Sequence, residues 1–244
     1  MKDNFSTNSD HYRDFRPGYP LGLFEFVYGK LGAFENAWDC GCGNGQLTEI
    51  LRKRFGQVFA TDISASQLDH APRFINVQYS LQPAENTNFP NNHFDLITVG
   101  QAIHWFQFGE FYKEVRRTAK KGALLVIVGY GKLSINAQVD ETINKLYSEI
   151  LDGYWDPERR YIDEMYTTIP FPFDEISCPS FENSYMWTLE HLLGYLRTWS
   201  AVKHYRNRQG VDPVTLISES LALQWEDKEI KKVEFPLLLR IGKV

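Results

Sequence analysis

The chain has 244 residues, a net charge of −5 and 43% hydrophobic residues, enough for one large domain or one domain with a sizeable insertion. No stretch approaches the roughly 18 consecutive apolar residues of a membrane-spanning helix, and the first residues lack the pattern of a signal peptide. Lysine and arginine are scattered except at 203–208, which suits a solvated helix end. We therefore expect a cytoplasmic protein that binds neither membranes nor nucleic acid.

The three cysteines predict neither a disulfide framework nor a zinc site. Cys40 and Cys42 are separated by one residue, and no second pair of cysteines or histidines lies near them. Both suit small residues beside a tight turn. We therefore expect no bound metal.

Strand and helix patterns alternate over the first half of the chain. Short apolar runs predict strands at 37–39, 58–61, 77–80, 94–99 and 123–128. Helical patterns lie between them at 46–51, 64–70 and 108–119, and Lys120, Lys121 and Gly122 are expected to cap the last of these. This alternation predicts an α/β fold in which a parallel sheet has helices on both faces.

The second half of the chain differs in composition. Residues 132–180 combine many aromatic residues with four prolines, which predicts a helical cap inserted after the strand at 123–128. We expect the sheet to resume at 181–187 and to finish at 236–240, with helices at 188–199 and 213–224 between. This divides the chain into a core with an N-terminal lid (1–131), a cap (132–180) and a C-terminal completion of the sheet (181–244).

A glycine-rich turn lies between the first strand and the first helix of this alternation. It has the sequence Asp39-Cys40-Gly41-Cys42-Gly43-Asn44-Gly45, and its glycines would let a ligand approach the backbone. Asp39 ends the strand and could face a cationic ligand, whereas Asp62 ends the next strand and could accept hydrogen bonds from ribose hydroxyls. Alternatively, both acids only cap strand ends. A dinucleotide fingerprint needs a small residue where Gln46 stands, which disfavours a dehydrogenase.

These residues resemble those of a known family. The run Trp38-Asp39-x-Gly41-x-Gly43-x-Gly45-Gln46 resembles motif I of the Rossmann-like S-adenosylmethionine-dependent methyltransferases, and residues 60–64 resemble their acidic second motif. Residues 12–20, 84–86 and 101–106 are similar to motifs of trans-aconitate methyltransferase-like small-molecule enzymes. The resemblance covers about residues 10 to 131. It implies a Rossmann-like methyltransferase fold with a mostly parallel, seven-stranded sheet and S-adenosyl-L-methionine as cofactor.

The resemblance also implies a set of cofactor-binding residues. In that family the acid and glycines of motif I hold the amino-acid part of the cofactor, the second acid holds the ribose, and an Ala-Glu pair flanks the adenine. With the N-terminal lid and the segment under the methionine arm, the implied residues are Tyr12, Arg16, Asp39, Gly41, Gly43, Gly45, Gln46, Asp62, Ile63, Ala84, Glu85 and Gln101. The superfamily often has an acid where Pro83 stands here, so adenine selectivity would rest on backbone contacts or on Glu85.

Methyl transfer requires alignment of donor and acceptor and the exclusion of water. His104 follows the fourth strand at the ligand-binding edge, so it is the candidate general base; its alternative role is to shape the pocket beside Trp105. A carboxylate acceptor is already ionised and needs no base. Arg159 or Arg160 could pair with such a carboxylate. The candidate acceptor-site residues are Tyr19, His104, Trp105, Tyr130, Trp155, Arg160 and Trp199.

The sequence therefore predicts transfer of a methyl group to a small organic acceptor, with a carboxylate oxygen as the leading hypothesis. Two alternatives stay open. One is methylation of a hydroxyl or phenol with His104 as base, and the other is a non-catalytic protein that binds the cofactor. The identity of the acceptor and the oligomeric state are not predicted.

Overall fold

The computed structural model describes residues 15–226 and 229–244. Tyr12, which is predicted to contact the cofactor from an N-terminal lid, lies outside these residues. The described chain enters helix α1 (Leu21–Tyr28) directly after Pro20, whose fixed backbone angle suits the residue before a helix.

A seven-stranded sheet forms the centre of the described structure, in the order β3-β2-β1-β4-β5-β9-β6. Strands β1 to β5 pair in parallel, and β9 runs antiparallel to both β5 and β6. The predicted α/β fold with a mostly parallel sheet of seven strands is therefore confirmed. The strands are β1 Asn36–Cys40, β2 Gln57–Asp62, β3 Val77–Leu81, β4 Phe94–Gly100, β5 Ala119–Tyr130, β6 Asp174–Glu175 and β9 Leu237–Lys243.

Helices cover both faces of this sheet, because successive side chains of a strand point to opposite sides. On β5, Leu125 and Ile127 pack on one side with residues of α4, whereas Leu124 and Val126 pack on the other with residues of α1 and α2. All four side chains are buried. The helices of this half are α1, α2 (Gln46–Leu51), α3 (Ala65–Asp69) and α4 (Phe108–Thr118), with a 3-10 turn at Ile103–Trp105.

A second apolar cluster joins the helices of the cap. It brings Val139 of α5 together with Leu192 of α7 and Ile217 of α9, and all three side chains are buried. The helices of this cluster are α5 (Ala137–Lys145), α7 (Leu189–Arg197), α8 (Ser200–Gln209) and α9 (Thr215–Leu223), whereas the short helix α6 (Arg160–Asp163) places Ile162 in the cluster of the main sheet. A π turn lies at Leu146–Ile150 and a 3-10 turn at Pro157–Arg159. The packing thus joins helices of the predicted cap to helices that follow it, and the three-part division of the chain stays a proposal.

The prediction that the main sheet resumes at 181–187 is wrong. Residues of β7 (Ser184–Trp187) pair with β8 (Lys231–Glu234) in a separate two-stranded sheet. The reason is packing: Trp187 contacts Tyr195 and Phe235 in the cap cluster rather than the core of the main sheet. Residues 174–175 and 237–243 supply the last two strands of the main sheet instead.

The predicted helix cap at 120–122 is also wrong, because these residues belong to β5. The helix ends at Thr118, and Ala119 already pairs with Phe94 of β4. The register then shifts before Leu96 pairs with Leu124, and the Gly122 N–H donates to the Val244 carbonyl at 3.1 Å. Strand pairing on both sides therefore satisfies the backbone groups that a helix cap would have left to water.

Among the described residues, no helix has the length and apolar character needed to cross a membrane. The same residues contain no cluster of three or more histidine, cysteine or acidic side chains arranged to hold a metal ion. The thiols of Cys40 and Cys42 are buried beside the glycine turn, and burial raises the pKa of both.

Candidate active site

A cavity of roughly 950 Å³, part of it open to solvent, lies at the carboxyl ends of β1, β2 and β4; we name it the first cavity. Strand order reverses here, since β2 lies on one side of β1 and β4 on the other. Open parallel sheets bind ligands at such a switch point, because the loops diverge there and leave a crevice.

The glycine turn forms one wall of the first cavity and is tied to the neighbouring strand. The Thr61 carbonyl of β2 accepts the N–H groups of both Gly41 and Cys42, at 2.8 and 2.9 Å. Gly41, Gly43 and Gly45 all have positive φ, at 69°, 54° and 88°. A side chain at Gly41 would also place its Cβ 2.8 Å from the Cβ of Ala102. The turn therefore needs glycine both for its backbone angles and for its close packing.

Asp62 fixes the turn from the end of β2. Its Oδ2 accepts the Gly43 N–H at 2.8 Å and its Oδ1 accepts the Ser64 N–H at 2.9 Å. An ionised carboxylate offers about four acceptor positions, which suits it to bind several donors at once. The side chain lines the first cavity, where it could accept hydrogen bonds from ligand hydroxyls.

Asp39 is the buried acid of the first cavity. Its Oδ2 accepts a hydrogen bond from the Thr48 hydroxyl at 2.5 Å and its Oδ1 one from the Thr98 hydroxyl at 3.2 Å. Burial raises the pKa of this carboxyl to about 6, although both hydroxyl groups oppose the rise. A cation entering the cavity would favour the ionised form, so this residue suits an ammonium group.

Gln101 separates the first cavity from a smaller one. Its side-chain oxygen accepts the Tyr130 N–H at 2.8 Å, and its side-chain nitrogen donates to the Tyr130 carbonyl at 3.1 Å. Its own N–H donates to the Val128 carbonyl, which holds a backbone φ of 54° that few residues other than glycine adopt. Gln101 and Trp105 line both cavities and therefore form the boundary between them.

The second cavity, of roughly 470 Å³, lies between the sheet edge and the cap and is lined by two arginines. Arg16 donates to the Tyr130 hydroxyl and to the Thr198 carbonyl, each at 3.0 Å. Arg159 donates through Nε to the Tyr147 hydroxyl at 2.9 Å. Its guanidinium carbon also lies 4.9 Å from the ring centroid of Trp155. Stacking of this kind holds a guanidinium in place while leaving its terminal nitrogens able to donate.

Two carboxylates lie beside the charged groups of the second cavity. Asp156 lines the cavity, and its Oδ2 lies 3.1 Å from Nε2 of His204. Oδ1 of Asp163 lies 3.4 Å from Nε of Arg159 in an ion pair. Arg16 and Arg159 give the cavity two guanidinium groups, which suit an anionic ligand.

His104 lines the second cavity but is chemically unsuited to accept a proton. The side chain is 5% exposed, and its Nδ1 lies 3.2 Å from the Tyr166 hydroxyl. Burial is the main cause that lowers the pKa of His104 to about 3, and the charges of Arg159 and Arg16 contribute to the same shift. The imidazole is therefore neutral at physiological pH and a weak base.

Comparison with known proteins assigns the family. The family described as "Methyltransferase domain" matches residues 38–127. A Dictyostelium discoideum protein, provisionally named as a methyltransferase, is 31% identical over 99% of this chain and 95% of its own length. A structure from Anaeromyxobacter dehalogenans, provisionally described as a type II methyltransferase, has a TM-score of 0.85 and 38% identity, covering 94% of this chain and 98% of that one. The chain belongs to the S-adenosylmethionine-dependent methyltransferases.

The YcgJ protein of Bacillus subtilis resembles this methyltransferase in fold alone. Its structure superposes with a TM-score of 0.52 at 18% identity and covers 91% of this chain and 97% of that one. The enzyme uses S-adenosylmethionine as its cofactor. The first cavity of this methyltransferase fits S-adenosylmethionine. Gly41 leaves room at the turn that a larger side chain would fill, and the buried carboxyl group of Asp39 suits the ammonium group of the cofactor.

The structure brings most of the predicted cofactor residues together. The first cavity is lined by Asp39, Gly41, Gly43, Gln46, Asp62, Ile63, Ala84 and Gln101. Three predicted cofactor residues that the structure describes lie outside that lining, namely Gly45, Glu85 and Arg16. Gly45 begins α2, where its positive φ ends the turn, and the Glu85 carboxylate accepts the Gln107 N–H at 2.9 Å. Glu85 thus fixes the start of α4 instead of facing the cavity.

Arg16, Tyr19 and Tyr130 do not lie with the other residues of their predicted groups. Arg16, predicted to contact the cofactor, lines the second cavity because its side chain reaches Thr198 at the end of α7. Tyr19 and Tyr130, predicted to contact the acceptor, line the first cavity. Trp105 lines both cavities, and Trp155 and Trp199, also predicted to contact the acceptor, line the second.

Arg160, predicted to contact the acceptor, lies outside the lining of both cavities, because its side chain is exposed and donates to the Tyr161 hydroxyl at 3.0 Å. The preceding residue, Arg159, lines the second cavity instead. The short 3-10 turn at Pro157–Arg159 sets which of the two arginines points inward. Their adjacency in the sequence could not distinguish them.

Sequence reasoning missed several residues of the first cavity, namely Asn44, Ser64, Gln67, Gln82 and Phe106. Gln82 follows the end of β3, so the strand-end rule that identified the two acids could have found it. Its side-chain oxygen accepts the Asn88 N–H at 2.8 Å, which holds the amide at the cavity wall. Ser64 is recognisable in the sequence only as the cap of α3, a role it also has.

We predict that Asp62→Ala weakens binding of S-adenosylhomocysteine at least about tenfold, since it removes charge-assisted bonds worth roughly 1.5–3 kcal/mol. Calorimetric titration of the purified protein measures the dissociation constant. Asp69→Ala removes an exposed carboxylate from the same helix region and should leave that constant unchanged. An unchanged dissociation constant in a well-folded Asp62→Ala variant would mean that Asp62 only caps the end of β2.

Proposed function

We propose that the enzyme transfers the methyl group to a carboxylate oxygen of a small organic acceptor. The observation that supports this proposal is the pair of guanidinium groups, Arg16 and Arg159, in a cavity that meets the cofactor cavity at Gln101 and Trp105. Guanidinium groups recognise carboxylates through paired hydrogen bonds. The resemblance to trans-aconitate methyltransferase-like enzymes agrees with an organic acid, and that narrower assignment stays a prediction.

The first cavity would hold the cofactor along the carboxyl ends of β1 and β2. The buried carboxylate of Asp39 suits the ammonium group, and the Asp62 carboxylate suits the ribose hydroxyls. Ala84, which is buried at the far side of the cavity, would lie against the adenine, with the nearby amide of Gln82 available as a hydrogen-bonding group. When bound, S-adenosylmethionine supplies a methyl group activated by its positively charged sulfur.

The residues at the boundary would align the two reactants. Gln101 is held rigidly by its three bonds to β5, so it fixes the width of the passage between the cavities. Trp105 offers an aromatic face to a positively charged donor, which is a favourable contact. Arg159, supported from behind by Tyr147 and Trp155, would hold the acceptor carboxylate in line. Alignment of this kind is the main contribution a protein makes to such a displacement.

A hydroxyl or phenol acceptor would need a base to remove its proton, and His104 is the residue placed to do so. Its pKa of about 3 argues against that role, because a base this weak takes up almost no proton in the transition state near neutral pH. The neutral imidazole and Tyr166 instead form a buried polar pair that supports the cavity wall. Three expectations remain predictions: that the acceptor is a small molecule, that the protein binds neither nucleic acid nor membranes, and that it is cytoplasmic. The oligomeric state is not predicted.

Arg159→Leu tests the acceptor site. With a panel of small carboxylic acids and phenols, we expect the best acid substrate to show a KM raised about 10- to 100-fold, as expected for loss of a charge-assisted bond. Affinity for S-adenosylhomocysteine should be unchanged. Arg160→Leu removes the adjacent exposed arginine and is the matched control, with wild-type kinetics expected. Turnover of phenols alone, or equal kinetics in the two variants, would contradict the carboxylate proposal.

His104→Gln tests whether the imidazole is a base. We expect turnover to fall less than about tenfold and the pH–rate profile between pH 6 and 9 to keep its wild-type shape, whereas loss of a general base costs about 10²–10⁴-fold. Burial lowers the folded-state pKa below the unfolded value of 6.5, so the stability that neutral His104 contributes is present above pH 6.5 and is lost as the pH falls towards 3. The His104→Gln variant should therefore unfold at a lower pH than the wild type. A rate that rises through an ionisation near pH 6.5 and loses this dependence in the variant would favour the hydroxyl acceptor.

A further inference from the structure

Gly194 lies in the middle of helix α7, where glycine lowers helix stability by up to about 1 kcal/mol relative to alanine. Close packing explains its presence. A Cβ at this position would lie 2.4 Å from both Cδ1 and Cε1 of Phe15 and 2.7 Å from its Cγ. The phenyl ring of Phe15 therefore rests directly on the helix backbone, and any larger residue would push the ring away.

The same face of α7 receives both Phe15 and the next residue, Arg16. The Phe15 ring contacts the His191 ring edge-on, with centroids 5.3 Å apart. The Arg16 guanidinium carbon lies 5.5 Å from the ring centroid of Tyr195, and Nη2 of the same group donates to the carbonyl of Thr198. Positions 191, 194, 195 and 198 follow the spacing of one helix face, so the two side chains lie along a single stripe of the helix.

We propose that the contact between Phe15 and Gly194 positions the Arg16 guanidinium in the second cavity. We name this contact the seat of Arg16. The two side chains belong to consecutive residues and contact one helix over about two turns, so a movement of one side chain shifts the other. Displacing the ring moves the backbone before Arg16 and misaligns its two hydrogen bonds to Tyr130 and Thr198. Gly194 and Phe15 are thus positioning residues that act through Arg16, and their effect on the acceptor rests on the function proposed above.

The position of Arg16 can be measured without any acceptor. Phenylglyoxal modifies accessible arginines, and peptide mass spectrometry gives a rate for each residue. In Gly194→Ala we expect Arg16 to react at least about three times faster than in the wild type, because a clash of 2.4 Å must displace the ring. The exposed Arg160 in the same digest provides an internal reference rate.

Gly109→Ala is the matched control, since Gly109 lies in helix α4 and a Cβ there meets no atom within 4 Å. It should leave the reactivity of Arg16 unchanged. Phe15→Ala should increase that reactivity, and adding Gly194→Ala to it should cause no further increase, because the clash is then gone. Circular dichroism and an unchanged affinity for S-adenosylhomocysteine show that each variant is folded. Wild-type reactivity of Arg16 in folded Gly194→Ala, or additive effects in the double variant, would overturn the seat.

The kinetic consequence distinguishes the seat from a general packing effect. With the best carboxylic acid substrate, Gly194→Ala should raise KM about 3- to 30-fold and leave kcat within about twofold, as expected for part of a charge-assisted bond. A fall in kcat with unchanged KM would contradict a positioning role in acceptor binding. Failure of the wild type to methylate any carboxylic acid would count against the proposed function, and the reactivity of Arg16 would then decide on the seat alone.

Discussion

The structure depends on one anchoring interaction, in which a single carbonyl, that of Thr61, accepts the N–H groups of both Gly41 and Cys42. This joins the turn after β1 to the end of β2, and the Asp62 carboxylate reinforces the junction through Gly43. The turn can adopt this path only because its glycines have positive φ. Both acids of the first cavity are placed by the same junction, since Asp39 ends β1 immediately before the turn. The geometry of this end of the first cavity therefore follows from the pairing of two strands.

The first cavity contains acidic side chains and the second contains two arginines. Methyl transfer from a cationic cofactor to a carboxylate would require this difference in charge. Asp39 and Asp62 give the first cavity negative groups, which suit a cofactor carrying a sulfonium and an ammonium. Arg16 and Arg159 give the second cavity positive groups, which suit an ionised acid. Opposite potentials on the two sides of Gln101 would favour one orientation of donor and acceptor and disfavour an exchange of sites. Burial is the main cause of the low pKa of His104, and the charges of the same two arginines add to it, so the groups that would bind an anion also help to keep the nearby imidazole neutral.

The sheet and most of the lining of the first cavity were predictable from sequence because local rules determine them. Apolar runs identify the strands, and acids at strand ends face the ligand crevice wherever the sheet is parallel. The lining of the second cavity was not predictable in the same way. The inward position of Arg159 depends on a short 3-10 turn, and the second cavity receives Arg16 because Thr198 of a distant helix end accepts its hydrogen bond. The strand at 184–187 was recognisable as a strand, but its partner at 231–234 depends on aromatic packing in the cap, which no local pattern encodes.

The central claim is that the first cavity holds the cofactor with its reactive end at Gln101 and Trp105, facing the second cavity. A crystal structure of the enzyme with S-adenosylhomocysteine tests this most directly. The account predicts the amino-acid portion beside Asp39, the ribose hydroxyls within hydrogen-bonding distance of the Asp62 carboxylate, and the sulfur at the boundary formed by Gln101 and Trp105. A ligand whose sulfur points away from that boundary, or whose ribose lies in the second cavity, would contradict it.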